Sequence, residues 1–175
     1  MLEAQRALRK PLLLIANKYD YKEEMSKYGE HHQGNTITTE TLRELFSFLR
    51  QRFHIVYFRF ERKDGADVDD TLSRTKVWGK LMDKRIIRVE YCDVELVERH
   101  THHLTIDEHN VWLMSLASIT TRFITLQGGT SFMFAYFPGV HIVLGAYGSG
   151  VDANYRFLSL FSNATIHHAK SNNEL

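Results

Sequence analysis

The sequence predicts a single α/β domain, a Rossmann-like three-layer sandwich with a mainly parallel sheet. Three observations predict it. Short apolar runs (Leu12 to Ala16, His54 to Phe60, Ile86 to Val89, Phe123 to Leu126 and Val140 to Leu144) alternate with stretches of helical periodicity, and that alternation builds parallel sheets with helices on both faces. The first run, Leu12-Leu13-Leu14-Ile15-Ala16, is continuously apolar, as expected of a central strand covered on both sides. Between Arg122 and Gly150 the chain reads RFITLQGGTSFMFAYFPGVHIVLGAYGSG, which is strand, Gly-rich turn, helix, turn and strand: a βαβ unit.

Length and composition set the outer limits. The chain has 175 residues, 43% apolar and 25% charged, enough for one domain with a real core. Its net charge of +1 gives no electrostatic footprint for nucleic acid or an anionic membrane. The single cysteine, Cys92, cannot form an internal disulfide, so a reducing, cytoplasmic setting is expected. Leu12 to Ala16 is too short for a signal core or a membrane span, and no integral membrane segment is expected elsewhere. Residues 1 to 10 read as a polar, basic stub or linker, 11 to 170 as the single domain, and 171 to 175 (SNNEL) as a frayed tail.

The elements follow in order. After the first strand, Asn17-Lys18-Tyr19-Asp20 opens a polar loop that runs to about Asn35, long enough to suggest a functional role. Thr38 then caps a helix, with Ile37 and Leu42 as a hydrophobic staple and Leu42, Leu45, Phe46, Leu49 and Phe53 on its inner face. Strand His54 to Phe60 leads to a charged loop, Glu61 to Asp70, and a short helix, Thr71 to Met82, with Leu72, Val77 and Leu81 inward. Ile86 to Val89 reads as a third strand, and Cys92 to His103 resists assignment. Thr105-x-x-Glu108 is a capping box opening a helix with Trp112, Leu113, Leu116 and Ile119 on one side. The βαβ unit follows, and Asn154 to Ser162 reads as a last helix with Tyr155, Leu158 and Phe161 inward.

In such folds ligands sit beyond the carboxyl ends of the strands. The Gly128-Gly129 doublet there permits φ > 0 and close approach of another molecule. Thr130 or Ser131 is expected to cap the following helix, leaving free amides that suit a phosphate. The same doublet also reads as a tight turn that only lets helix and strand pack. No Lys follows the glycines, so this is not a P-loop.

Three stretches together, LLLIANKYD, ETLRELFSFLRQRFHIVYFR and FITLQGGTSFMFAYFPGVHIVLGAYG, resemble the nucleotide-sugar half of GT-B-type glycosyltransferases, in particular those of bacterial surface-polysaccharide loci and large DNA viruses. The likeness covers most of residues 11 to 160. It rests on Asn-Lys-Tyr after the first strand, a strand ending in Tyr-x-Arg, and a Gln-Gly-Gly-x-Ser turn. The loop Glu61 to Asp70 and the His-Thr-His-His run from His100 to His103 depart from it. The resemblance implies a nucleotide-sugar donor as substrate, no metal or other cofactor, and a glycan acceptor brought by a second domain or subunit. A non-catalytic nucleotide-binding module and a partner-assembly subunit are the rival readings.

Under the resemblance, Gly128, Gly129, Thr130 and Ser131 would hold the diphosphate, and Gln127 would reach a phosphate or the sugar, or merely close a strand end. Arg59 is the candidate catalytic residue, clamping the departing diphosphate; its alternative is a surface arginine paired with Glu61 or Asp64. Lys18 carries the same two readings. Asn17 contacts substrate or caps a turn, and Tyr19 stacks on the base or packs. Glu90 would bind ribose hydroxyls or be a plain strand-end charge. Asp67-x-Asp69 has the spacing of a metal-binding pair but lies in a charged loop, and a solvated acidic loop is the expectation. The ten histidines are scattered and lack a zinc ligand pattern. His102 or His103 as a general base has no orienting partner in the sequence.

Overall fold

Residues 10–18, 36–60, 85–145 and 150–175 are described by a computed structural model of the chain. The polar loop containing Tyr19, the loop carrying Asp67 and Asp69 and the helix expected over Thr71 to Met82 lie outside these residues. Six strands form one all-parallel sheet in the order β3-β2-β1-β4-β5-β6. They are β1 (Leu12–Lys18), β2 (His54–Phe60), β3 (Glu95–Leu96), β4 (Arg122–Leu126), β5 (Gly139–Leu144) and β6 (Ala164–Ala169). Between them lie α1 (Thr39–Leu49), α2 (Glu98–Thr101), α3 (Ile106–Ile119), α4 (Gly129–Phe134) and α5 (Gly150–Ser162).

The continuous apolar run of β1 is explained by two cores. Leu13 and Ile15 join Ile55, Tyr57 and Ile124 on one face, under Leu42, Leu45 and Phe46 of α1. Leu12, Leu14 and Ala16 join Val56, Phe58 and Phe123 on the other, under Leu113, Leu116 and Ala117 of α3. Tyr155 and Leu158 of α5 pack on Val143 beyond them. The expected caps form. Thr38 Oγ1 accepts from Thr41 N–H at 3.2 Å. The Glu108 carboxylate accepts from Thr105 N–H at 2.9 Å, while Thr105 Oγ1 accepts from Glu108 N–H at 3.3 Å. Among the described residues no helix is long and apolar enough to cross a membrane.

Several expectations are corrected. Ile86 to Val89 is not a strand but part of a π-helical turn, Ile86–Glu90, with Ile86 and Ile87 fully buried against α1. A short apolar run fits a buried helical segment as well as a strand. The third strand is the two-residue β3, inside the stretch that the sequence left unassigned. β6 was not foreseen, because His167 and His168 break its apolar signal. Phe161 is not inward: it is 70% exposed. The tail is not frayed. Residues Asn172–Glu174 form a 3-10 turn, and Asn172 donates to Thr36 O at 3.1 Å and accepts from Thr38 N–H at 3.0 Å.

Strand order fixes where a site belongs. From β1 the chain winds through β2 to β3 on one side, and from β4 through β5 to β6 on the other. The winding reverses between the neighbours β1 and β4, paired at Leu14–Phe123 and Ile15–Ile124. Outward from that reversal the loops of the two halves diverge, which opens a crevice at the carboxyl ends of β1 and β4.

Candidate switch-point cavity

A cavity of about 420 Å³ occupies that crevice. One wall is Ala16, Asn17 and Lys18 from the end of β1; the other is Leu126 and the turn Gln127 to Thr130 after β4. Phe58 of β2, His109, Asn110 and Leu113 of α3, and Met133 of α4 complete it. The volume lies within the usual range for small-molecule sites, and apolar walls with a few convergent polar groups are their usual make-up. Among the described residues of this lining, Lys18 and His109 are the basic side chains and there is no carboxylate.

The β1 wall is built around Asn17, which is buried. Its carboxamide Nδ2 donates to Ile37 O at 3.0 Å, and its Oδ1 accepts from Ile37 N–H at 3.0 Å and Lys18 N–H at 2.9 Å. The side chain thus acts as a short stretch of strand, pinning the lead-in of α1 to the end of β1. Its polar atoms are engaged inside the protein, which leaves Lys18 as the charged group among the described residues of this wall.

The β4 wall differs from expectation at its centre. Gly128, not Thr130 or Ser131, is the N-cap of α4, at φ +149°. Its N–H is not free: it donates to Ser131 Oγ at 3.1 Å and to the Tyr155 hydroxyl at 3.2 Å. Ser131 is buried, its hydroxyl donating to Gly128 O at 2.8 Å and in close hydrogen-bond contact with Tyr155 Oη. Ser131 is therefore a brace inside the turn. The amides of Gly129 and Thr130 stand in the first turn of α4, where a helix supplies no acceptor, and both residues line the cavity. A Cβ at Gly128 or Gly129 would meet nothing within 4 Å. Gln127 N–H closes the strand end by donating to Leu144 O at 2.8 Å, while its side chain lines the cavity.

Arg59 and Glu90 do not line the cavity. Arg59, 5% exposed, donates through Nη2 to Glu98 of α2 at 2.9 Å; Glu61 and Asp64 lie outside the described residues. Glu90 ends the π-helical turn and takes a two-pronged bond from Arg43 of α1, at 3.0 and 3.2 Å. That bond holds the Glu90 carboxyl below the ordinary carboxylate range.

Phe58, His109, Asn110, Leu113, Met133 and Tyr155 were not singled out as site residues. The signal for His109 was present. It precedes Leu113 by one helical turn on the inward stripe of α3, where a polar side chain is out of place, and its ring lies 5.8 Å from that of Phe58. His102 and His103 meet edge to face, 5.1 Å apart, outside the cavity lining. Among the described residues no group of three or more His, Cys, Asp or Glu side chains is disposed to hold a metal. No family model, curated protein sequence or solved structure matches the chain.

Proposed function

We propose that the chain is the donor-binding domain of a GT-B-type glycosyltransferase, holding a nucleotide sugar in the cavity between β1 and β4. The observation that carries this reading is the position of the cavity. It sits where the winding of a parallel sheet reverses, the place such folds use for ligands. Its lining supports an anionic ligand: Lys18 on one wall, the Gly129 and Thr130 amides on the other, and, among the described residues, no carboxylate to repel phosphate. The apolar walls from Phe58, Leu113, Leu126 and Met133 suit the non-ionic remainder of the ligand.

In glycosyl transfer the bond from the sugar C1 to the diphosphate oxygen breaks, and its electron pair departs with that oxygen. Groups that hold the new charge without reorganising lower the barrier. Lys18 and the two amides serve that role here, in place of Arg59, whose guanidinium pairs with Glu98. The acceptor and the base that activates it come from a second domain or subunit. A binding module without catalysis is the second reading, favoured by the lack of a carboxylate base among the described residues of the lining.

Calorimetric titration of the chain with uridine and guanosine diphosphates, their sugar conjugates and pyrophosphate tests the proposal. Saturable binding of at least one nucleotide is expected, weakened roughly ten- to a hundredfold by Lys18→Glu. An absence of binding across the whole panel refutes it. Glycosyl transfer on addition of an acceptor-binding partner separates the enzyme from the binding module.

A further inference from the structure

The turn after β4 is held by two hydroxyls that reach it from different places. Ser131 lies within the turn, and Tyr155 comes from α5, its ring buried beside Phe132 with centroids 4.5 Å apart. A phenylalanine would fill the same space. What the tyrosine adds is its hydroxyl, which accepts the Gly128 N–H and contacts Ser131 Oγ.

These bonds fix the direction of the next peptide group. Gly128 O accepts from the Ser131 hydroxyl at 2.8 Å and from Phe132 N–H at 3.1 Å, so this carbonyl points into the body of α4. The peptide is trans, and in a trans peptide the N–H points opposite to the C=O. The Gly129 N–H is therefore directed out of the helix, on the side where Gly128, Gly129 and Thr130 line the cavity. With glycine on both sides, little steric cost opposes rotation of this peptide plane, and the reversed orientation would present a carbonyl to the ligand instead.

We infer that Tyr155 and Ser131 are positioning residues. Their paired hydroxyls lock the Gly128–Gly129 peptide so that its N–H, and not its C=O, faces the cavity. The inference rests on the proposed anionic ligand for what that N–H binds, but not for the orientation itself.

The test uses the full chain, Tyr155→Phe, Ser131→Ala and the double variant, with pyrophosphate and uridine diphosphate as probes. Each single change is expected to weaken both probes roughly ten- to a hundredfold, and the double variant to bind about as weakly as the worse single one, because the hydroxyls act as a unit. Amide hydrogen exchange supplies the second readout. The Gly128 N–H is expected to be protected in the parent chain and to exchange faster in Tyr155→Phe while the amides of β4 and β5 keep their protection. Unchanged affinity in both single variants overturns the inference and leaves the cavity reading standing. If the parent chain binds neither probe, the cavity reading falls, and exchange alone decides: equal Gly128 exchange in parent and variant overturns the lock, faster exchange in the variant upholds it.

Discussion

Two glycines, the N-cap of α4 and the first residue of β5, share a positive φ and differ in everything around it. Gly128 sits at φ +149° and Gly139 at φ +136°, a region that side chains disfavour. At Gly139 an added Cβ would lie 2.5 Å from Thr121 O and 2.8 Å from Thr121 C, because the turn packs on the backbone leading into β4. At Gly128 the same atom would meet nothing within 4 Å, and the residue borders the cavity. Positive φ alone therefore does not mark a ligand-facing glycine. The space where the side chain would have been does: filled by the protein's own backbone at one glycine, open to the crevice at the other.

Gly139→Ala is expected to have the largest effect, since backbone strain and a backbone clash add. The loss is on the order of 4 kcal/mol, read as a drop in the urea midpoint or as failure to accumulate folded protein. A change within about 0.5 kcal/mol, the scatter of neutral surface substitutions, would show that the turn relaxes freely. Gly128→Ala incurs the strain without the clash, about 2 kcal/mol. Its methyl group would stand at the mouth of the cavity, so nucleotide affinity is expected to fall by more than the loss of stability accounts for. Equal damage to binding from both substitutions, at matched stability, would erase the distinction between the two turns.

The smallest effect is a pH dependence at the packed turn. His141 is buried in β5, stacked on Phe123 with centroids 4.3 Å apart, and its Nε2 lies 3.0 Å from Phe137 O in the Gly139 turn. Burial pushes its pKa below the ordinary 6.5, against a smaller opposing contribution from the Phe137 carbonyl. Below pH 6.5 the unfolded chain takes up this proton before the folded one does. The stability His141 contributes is thus fully present above pH 6.5 and is lost as pH falls toward its folded pKa. Melting between pH 7.5 and 5.5 is expected to fall less steeply in His141→Gln than in the parent chain; parallel profiles would remove His141 from the account.

The layered α/β architecture was legible because its strongest signals are local. The apolar run of β1, the Thr38 cap and the Thr105–Glu108 capping box each specify an element without reference to the rest. What failed depended on distant partners. Ile86 and Ile87 are buried by α1, and a buried pair looks alike in a strand or a π-helical turn. β6 is an edge strand whose exposed positions carry Thr165 and His167, so its pattern lacks an apolar run. At the site, the residues of the Gly-Gly turn and Lys18 were visible as candidates. The withdrawal of Gly128 N–H, Ser131 and Asn17 into internal bonds was not, because it depends on Tyr155 and on Ile37, 27 and 20 residues away.

Amide shift mapping of the labelled full chain with uridine diphosphate bears most directly on the cavity. The largest movements are expected at Gly129 and Thr130, with smaller ones at Lys18 and His109 across the crevice. Shifts centred elsewhere, for example around Glu95 at the far sheet edge, or a spectrum that does not change at saturating nucleotide, would contradict a ligand site at the reversal between β1 and β4.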